Sequence, residues 1–189
     1  VILLLQTSIA IELYTLLDTT MIGIICEDVN VAYYTNSTRI VKLLITIISA
    51  IGGVLLPRLS YFNAIGKHDE CEKIVNRVFY IMLFLFLPSQ VGLFLISDDL
   101  IPILFGNSFL PAVTTFKIST FLICTLGFSN LFGTQVLLTY NCEKKLLIAT
   151  IVGALTNICL NLLLIPRFAQ NGAAFASVIS ELCVTLLTY

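Results

Sequence analysis

The feature that most constrains this chain is its repetition of long apolar runs separated by short polar turns. A run of about 20 apolar residues, wound as an α-helix, matches the ~30 Å hydrocarbon thickness of a bilayer. Six such segments fall near 2–25, 37–57, 78–97, 114–139, 146–165 and 172–189. In lipid the backbone must satisfy its own amides, which leaves helices or closed barrels. Runs such as IMLFLFL lack the alternation of a barrel strand. The expected fold class is therefore all-α, a polytopic integral membrane protein with six transmembrane helices.

Composition excludes the soluble alternatives. The chain is 58% hydrophobic and 11% charged, with a mean hydropathy of +1.02. A soluble domain carries about 25% charged residues, so this one needs the bilayer as a partner. Its net charge of −1 gives no basic patch, hence no nucleic-acid partner. The six cysteines form no CxxC pair and read as small hydrophobes, with no metal site and no disulfide framework. No charged n-region precedes Val1–Leu5, so that stretch is not a signal peptide, and the 189 residues read as a fragment of a longer polytopic protein.

Loop charge sets the orientation. Arg58, Lys67, Lys73, Arg77, Lys144 and Lys145 lie on one side, against Arg167 alone, or four cations if Arg39, Lys42 and Lys117 are counted there. The positive-inside rule makes the first side cytoplasmic, with both fragment ends. Asp69 and Glu72 form a capping-box-like start for a cytoplasmic extension of the third helix. Glu27-Asp28 and Asp98-Asp99 read as acidic turns, His68 as a surface loop residue, and Asn36-Ser37-Thr38 as a chance sequon.

Charges inside the apolar runs carry the functional signal, because each costs roughly 2.5–3.5 kcal/mol on insertion scales. At 1.5 Å rise per residue, Asp18 lies roughly 10 Å deep and Lys42 roughly 8 Å deep on the same side. Arg39 shares a helix face with Lys42, so an ion pair from Asp18 to either is geometrically possible. Lys117 either joins that cluster or snorkels to the interface. Glu12 and Glu181 lie deeper, as candidate coupling or cavity carboxyls. The functional reading is a polar cavity for an anionic or proton-coupled substrate; the structural one is a set of ion pairs. Gly153, Asn157 and Asn161 recur every four residues, as do Gly172, Ala176 and Ser180. Each trio forms a small, polar helix-packing face.

No phosphate loop, HExxH, paired-Cys spacing or GxSxG elbow occurs, so neither an enzyme nor a cofactor is expected.

Three ordered blocks carry a family resemblance. The first comprises LYTLLDTTMIG at 13–23, VAYYTNSTRIVKLL at 31–44 and VLLPRLS at 54–60. The second comprises ILFGNSFLPA at 103–112 and NLFGTQVLLTYNCEKK at 130–145, and the third is GALTNICLNLLLIPRFAQNGAAFASVISE at 153–181. Together they resemble the polysaccharide biosynthesis flippases, the O-antigen type within the multidrug/oligosaccharidyl-lipid/polysaccharide exporter superfamily. The resemblance implies that residues 1–189 are the C-terminal lobe of a two-lobed transporter in a bacterial-type inner membrane, partnered by a missing N-terminal lobe. It implies an undecaprenyl-pyrophosphate-linked oligosaccharide as substrate, moved by alternating access. Arg39, and with it Lys42 or Lys117, would attract pyrophosphate or acidic sugars, and Asp18 matches the aspartate before the MIG-type turn. Glu12 stands where a small polar residue is usual, so no family role transfers to it. The rival readings are a cation-coupled multidrug extruder of the same superfamily and a non-transporting membrane subunit of polysaccharide assembly.

Overall fold

A computed structural model describes residues 16–53 and 55–189, with side chains described outside 47–53. Every regular element among the described residues is helical. In chain order these are α1 (Leu16–Ile25), α2 (Asp28–Gly53), α3 (Leu55–Ala64) and α4 (His68–Phe105). A 3₁₀ turn follows at Asn107–Phe109, then α5 (Ala112–Ser119), α6 (Leu122–Ser129), a π-helix (Asn130–Leu137) and α7 (Glu143–Thr188).

Among the described residues three helices are long and apolar enough to cross a membrane: His68–Phe105, Ala112–Leu137 and Glu143–Thr188. The last is two arms. Its 46 residues would run about 69 Å as a straight rod, more than twice the hydrocarbon core. Ala169 breaks it, with φ 45° and ψ −128°, three residues after Pro166. The arms fold back on each other, because Gly153 lies against Val184 and Gly172 against Leu164. Residues near 146–165 and 172–189 therefore form an antiparallel hairpin. Helical geometry resumes so close to the break that little loop remains between them.

Other boundaries differ from the sequence reading. The second helix starts at Asp28, well before 37, because the mixed stretch 28–36 is already helical, and Asp28 suits the positive end of a helix dipole. Ser37 and Thr38 are buried within it, so the sequon is helix interior rather than an accessible loop. The third helix starts at His68 with Lys67 at its N-cap and no side-chain capping bond, so Asp69 and Glu72 are not a capping box. Asp98 and Asp99 lie inside this helix, not in a turn, because it continues through Pro102 to Phe105. The first predicted segment, 2–25, lies mostly outside the described residues.

One core joins Phe86 and Met82 of α4 to Val41, Leu59, Phe116, Ile123, Leu131 and Val178. A second, smaller core holds Ile22, Tyr34, Ile165, Ala173 and Ala174, and so packs α1 and α2 against the hairpin. Large apolar side chains such as Phe84, 75% exposed, and Ile103, 78% exposed, cover the outside. That inversion of the soluble pattern suits lipid as the surrounding solvent.

Close packing of the hairpin depends on absent side chains. A Cβ on Gly172 would sit 2.6 Å from the Leu164 carbonyl oxygen, against backbone that cannot yield. All six residues of the two small-polar trios are buried. Two substitutions at the hairpin should have opposite signs. Gly172→Val should lower the melting temperature of the detergent-solubilised complete protein, at an overpacking cost of about 1–3 kcal/mol. Ala169→Gly, which removes a Cβ from a left-handed φ, should raise it through a gain in stability of up to about 1 kcal/mol.

Candidate functional site

Asp18 is the centre of the most developed polar cluster among the described residues. It lies on the same face of α1 as Ile22, and both are buried, at 2% and 0% exposure. The Tyr34 hydroxyl donates to Asp18 Oδ2 at 2.6 Å and the Ser177 hydroxyl to the same oxygen at 2.7 Å. Asn161 Nδ2 donates to Asp18 Oδ1 at 2.6 Å and to Asn157 Oδ1 at 3.0 Å. These partners come from α2 and from both arms of α7, so one carboxyl ties four helical segments together.

The arithmetic of donors makes this cluster adjustable. Ser177 has one hydroxyl proton but three acceptors in reach, Asp18 Oδ2, the Ala173 carbonyl at 2.9 Å and the Tyr34 hydroxyl oxygen at 3.0 Å. Asn157 Nδ2 and Asn161 Oδ1 are buried without a partner. Rotating the Asn161 amide by half a turn would present its oxygen to Asp18 in place of its nitrogen. With the hydroxyl protons turned aside, Asp18, Asn161, Tyr34 and Ser177 would become a cage of oxygens, the donor type that hard cations take. Among the described residues no three of His, Cys, Asp and Glu converge, so a thiolate or imidazole metal site is not formed there.

The ion pairs that helix geometry allows for Asp18, with Arg39 or Lys42, are not made among the described residues. Among the described residues the salt bridges are Lys73–Glu70 and Lys117–Asp98. The reason is the phase of α2. Tyr34, Ser37, Thr38 and Val41 turn inward and are buried, while Thr35, Arg39, Lys42 and Thr46 turn outward. Arg39 and Lys42 line a groove of about 390 Å³ with Thr19, Tyr34, Thr35, Thr38, Leu43 and Thr46. Tyr34 is the partition, since it lines this groove and bonds to Asp18 behind it.

Lys117 stands apart from the groove. It bonds Asp98 Oδ2 at 2.7 Å and lies 5.7 Å from the Phe94 ring centroid, the geometry of a cation held at an interface by an acid and an aromatic face. Glu181 is buried on the second arm of α7 and lines a separate pocket. Glu12 lies outside the described residues. Tyr34 and Ser177 were missed from sequence. Their signal was faint: Ser177 continues the polar face of Ser180 one turn earlier, whereas Tyr34 looks like an ordinary aromatic.

The described helices thus form a membrane-type bundle that sets a buried carboxyl, Asp18, behind an outward groove lined by Arg39 and Lys42. Residues 2–189 match the family described as lipid II flippase MurJ, and the chain belongs to that family. It is similar to Probable low-salt glycan biosynthesis flippase Agl15 of Haloferax volcanii, at 25% identity over 96% of this chain and 38% of that protein. It is 33% identical to Probable lipid II flippase MurJ of Rhizobium tropici, over 69% of this chain and 26% of that protein. Probable flippase AglR of Haloferax volcanii is 27% identical over 88% of this chain and 35% of that protein. The chain thus spans less than two-fifths of the length of these relatives.

The Asp18 cluster should be stabilising. Tyr34→Phe removes one donor to a buried carboxylate and should cost about 1.5–3 kcal/mol, measured by thermal unfolding of the complete protein. Thr35→Val, on the outward face of the same helix, should cost much less.

Proposed function

We propose that the complete protein moves a lipid-linked glycan across a membrane, and that this chain supplies one lobe of it, the C-terminal one. The observation that carries the reading is the outward face of α2. Thr35, Arg39, Lys42 and Thr46 recur at helical spacing on a surface that nothing in the described chain covers. Two cations and two hydroxyls facing hydrocarbon would be costly. The same face on a water-filled path between two lobes would attract an anionic phosphate or pyrophosphate linkage while the lipid tail stays in the bilayer. The relatives are named as lipid II and glycan flippases, which supports this substrate class over the multidrug alternative and over a non-transporting subunit. An undecaprenyl-pyrophosphate-linked O-antigen repeat is the finer form of the reading. The membrane is the cytoplasmic one, with both ends of this chain on the cytoplasmic side.

Asp18 has a second role in this proposal, as the group that binds a coupling cation. Its carboxylate has no cationic side chain beside it among the described residues, and its neighbours can turn oxygens toward it. A cation bound there would pull Tyr34 and Ser177 out of their present bonds and so change the wall of the groove.

Reconstituted complete protein tests both parts. Arg39→Ala combined with Lys42→Ala should cut flipping of lipid II and of an undecaprenyl-pyrophosphate oligosaccharide at least tenfold, with protein levels unchanged. Normal flipping of both substrates by that variant would sink the groove assignment. A large loss with only one substrate would identify the glycan. Asp18→Asn should abolish the dependence of flipping on a sodium gradient; a variant that keeps it removes Asp18 from coupling.

A further inference from the structure

The membrane-length helix Ala112–Leu137 leaves ordinary α geometry in its last third. Asn130–Leu137 is a π-helix of 8 residues that directly continues α6. Each hydrogen-bonded turn of a π-helix holds one residue more than an α turn, and such turns are rare, mostly single, and found at functional sites. Here the wide run ends in a tight one. The Leu138 N–H and the Thr139 hydroxyl both bond the Gln135 carbonyl, the hydroxyl at 2.7 Å. Winding that passes from too wide to too tight within a few residues persists only where its neighbours hold it.

Those neighbours are identifiable. On the last α turn before the π-helix, the Thr125 carbonyl accepts from the Thr185 hydroxyl of α7 at 2.9 Å. Inside the π-helix, a Cβ on Gly133 would lie 2.9 Å from Leu146 Cδ1 and 3.5 Å from Thr188 Cγ2, so the wide turn rests between the ends of the two α7 arms. Beyond it, Asn63 Nδ2 of α3 donates to the Thr139 carbonyl at 2.9 Å. The His68 ring at the start of α4 stacks on Tyr140, with centroids 6.3 Å apart. One group is left unanswered. Gln135 is 6% exposed, and its Oε1 is buried without a partner among the described residues. A fixed irregularity would satisfy or expose that amide, because an unmet buried acceptor is costly. An element with a second state can satisfy it there.

We propose that Asn130–Leu137 is a hinge, which converts between the π-helix and an α-helix as the lobe passes between its access states and turns the Thr139–Tyr140 corner against α3 and α4. The inference rests on the reading of the complete protein as a transporter. Conversion without loss of a residue must rotate the residues beyond it, by on the order of one helical step, about 100°. That rotation carries Gln135 to new neighbours and breaks the Asn63–Thr139 and His68–Tyr140 contacts. Both contacts lie on the side that the charge distribution makes cytoplasmic. The hinge uses neither Asp18 nor the cationic groove.

The experiment is pulsed electron–electron distance measurement on the complete protein in nanodiscs. Spin labels go on Lys67→Cys and on Cys159, both exposed, with the other cysteines replaced. Wild type should show two distance populations, and lipid II should shift their ratio at least threefold. Gln135→Leu removes the unanswered acceptor, so its melting temperature should not fall. It should hold one population and slow flipping at least tenfold, while lipid II binding stays within about threefold. A π-helix with a purely structural role predicts unchanged distances and normal flipping for that variant. Deletion of Val136, which lets the segment close as an α-helix without displacing the residues beyond it, should give the other population alone; where it does not fold, Gln135→Leu decides. A single wild-type population that ignores lipid II, or normal flipping by Gln135→Leu, overturns the hinge and leaves the transport reading intact. Two exchanging populations in a protein that flips no lipid-linked glycan uphold the conversion and overturn the transport reading instead.

Discussion

A carboxylate inside a bilayer has to be answered by something, and in this protein the answer given to Asp18 organises the packing around it. Three neutral donors, Tyr34, Asn161 and Ser177, surround it at 2.6–2.7 Å. Hydrogen bonds to an ionised acceptor are about twice as strong as neutral ones, and a low-dielectric interior makes losing any one of them expensive. The donors sit on α2 and on both arms of α7, so the carboxylate fixes how α1 lies against the hairpin. A cation in the same place would have neutralised the charge outright. Neutral donors compensate it only in part.

The hairpin of α7 is the scaffold for this arrangement. Gly153 and Gly172 permit backbone contact that lipid itself would not drive, since association of helices in a membrane relies on packing and polar contacts rather than on the hydrophobic effect. Close approach brings Asn161 on one arm and Ser177 on the other to the same carboxylate, Asp18. The break at Ala169 sets the register, and the register decides which polar groups meet. Packing and chemistry therefore share one seam.

The phase of α2 separates two kinds of polar group. Residues 34, 37, 38 and 41 face the hairpin and are buried, while 35, 39, 42 and 46 face outward. Tyr34 touches both worlds. Any change in its bond to Asp18 therefore changes the lining of the cationic groove.

Much of this was legible in the residues alone. Apolar runs of spanning length determine an all-helical membrane protein, because backbone amides in lipid have no other partners. The spacing of Gly153, Asn157 and Asn161 marks a close-packed polar face, and all three are buried. Helix ends were less legible. Asp98 and Asp99 look like a turn, yet remain helical because hydropathy reports solvation rather than backbone geometry. What only the tertiary structure decided is partnership. Depth along an axis says nothing about rotation around it, and it is rotation that turns Arg39 and Lys42 outward while Asp18 meets Tyr34, Asn161 and Ser177, two of them more than 140 residues away in the chain.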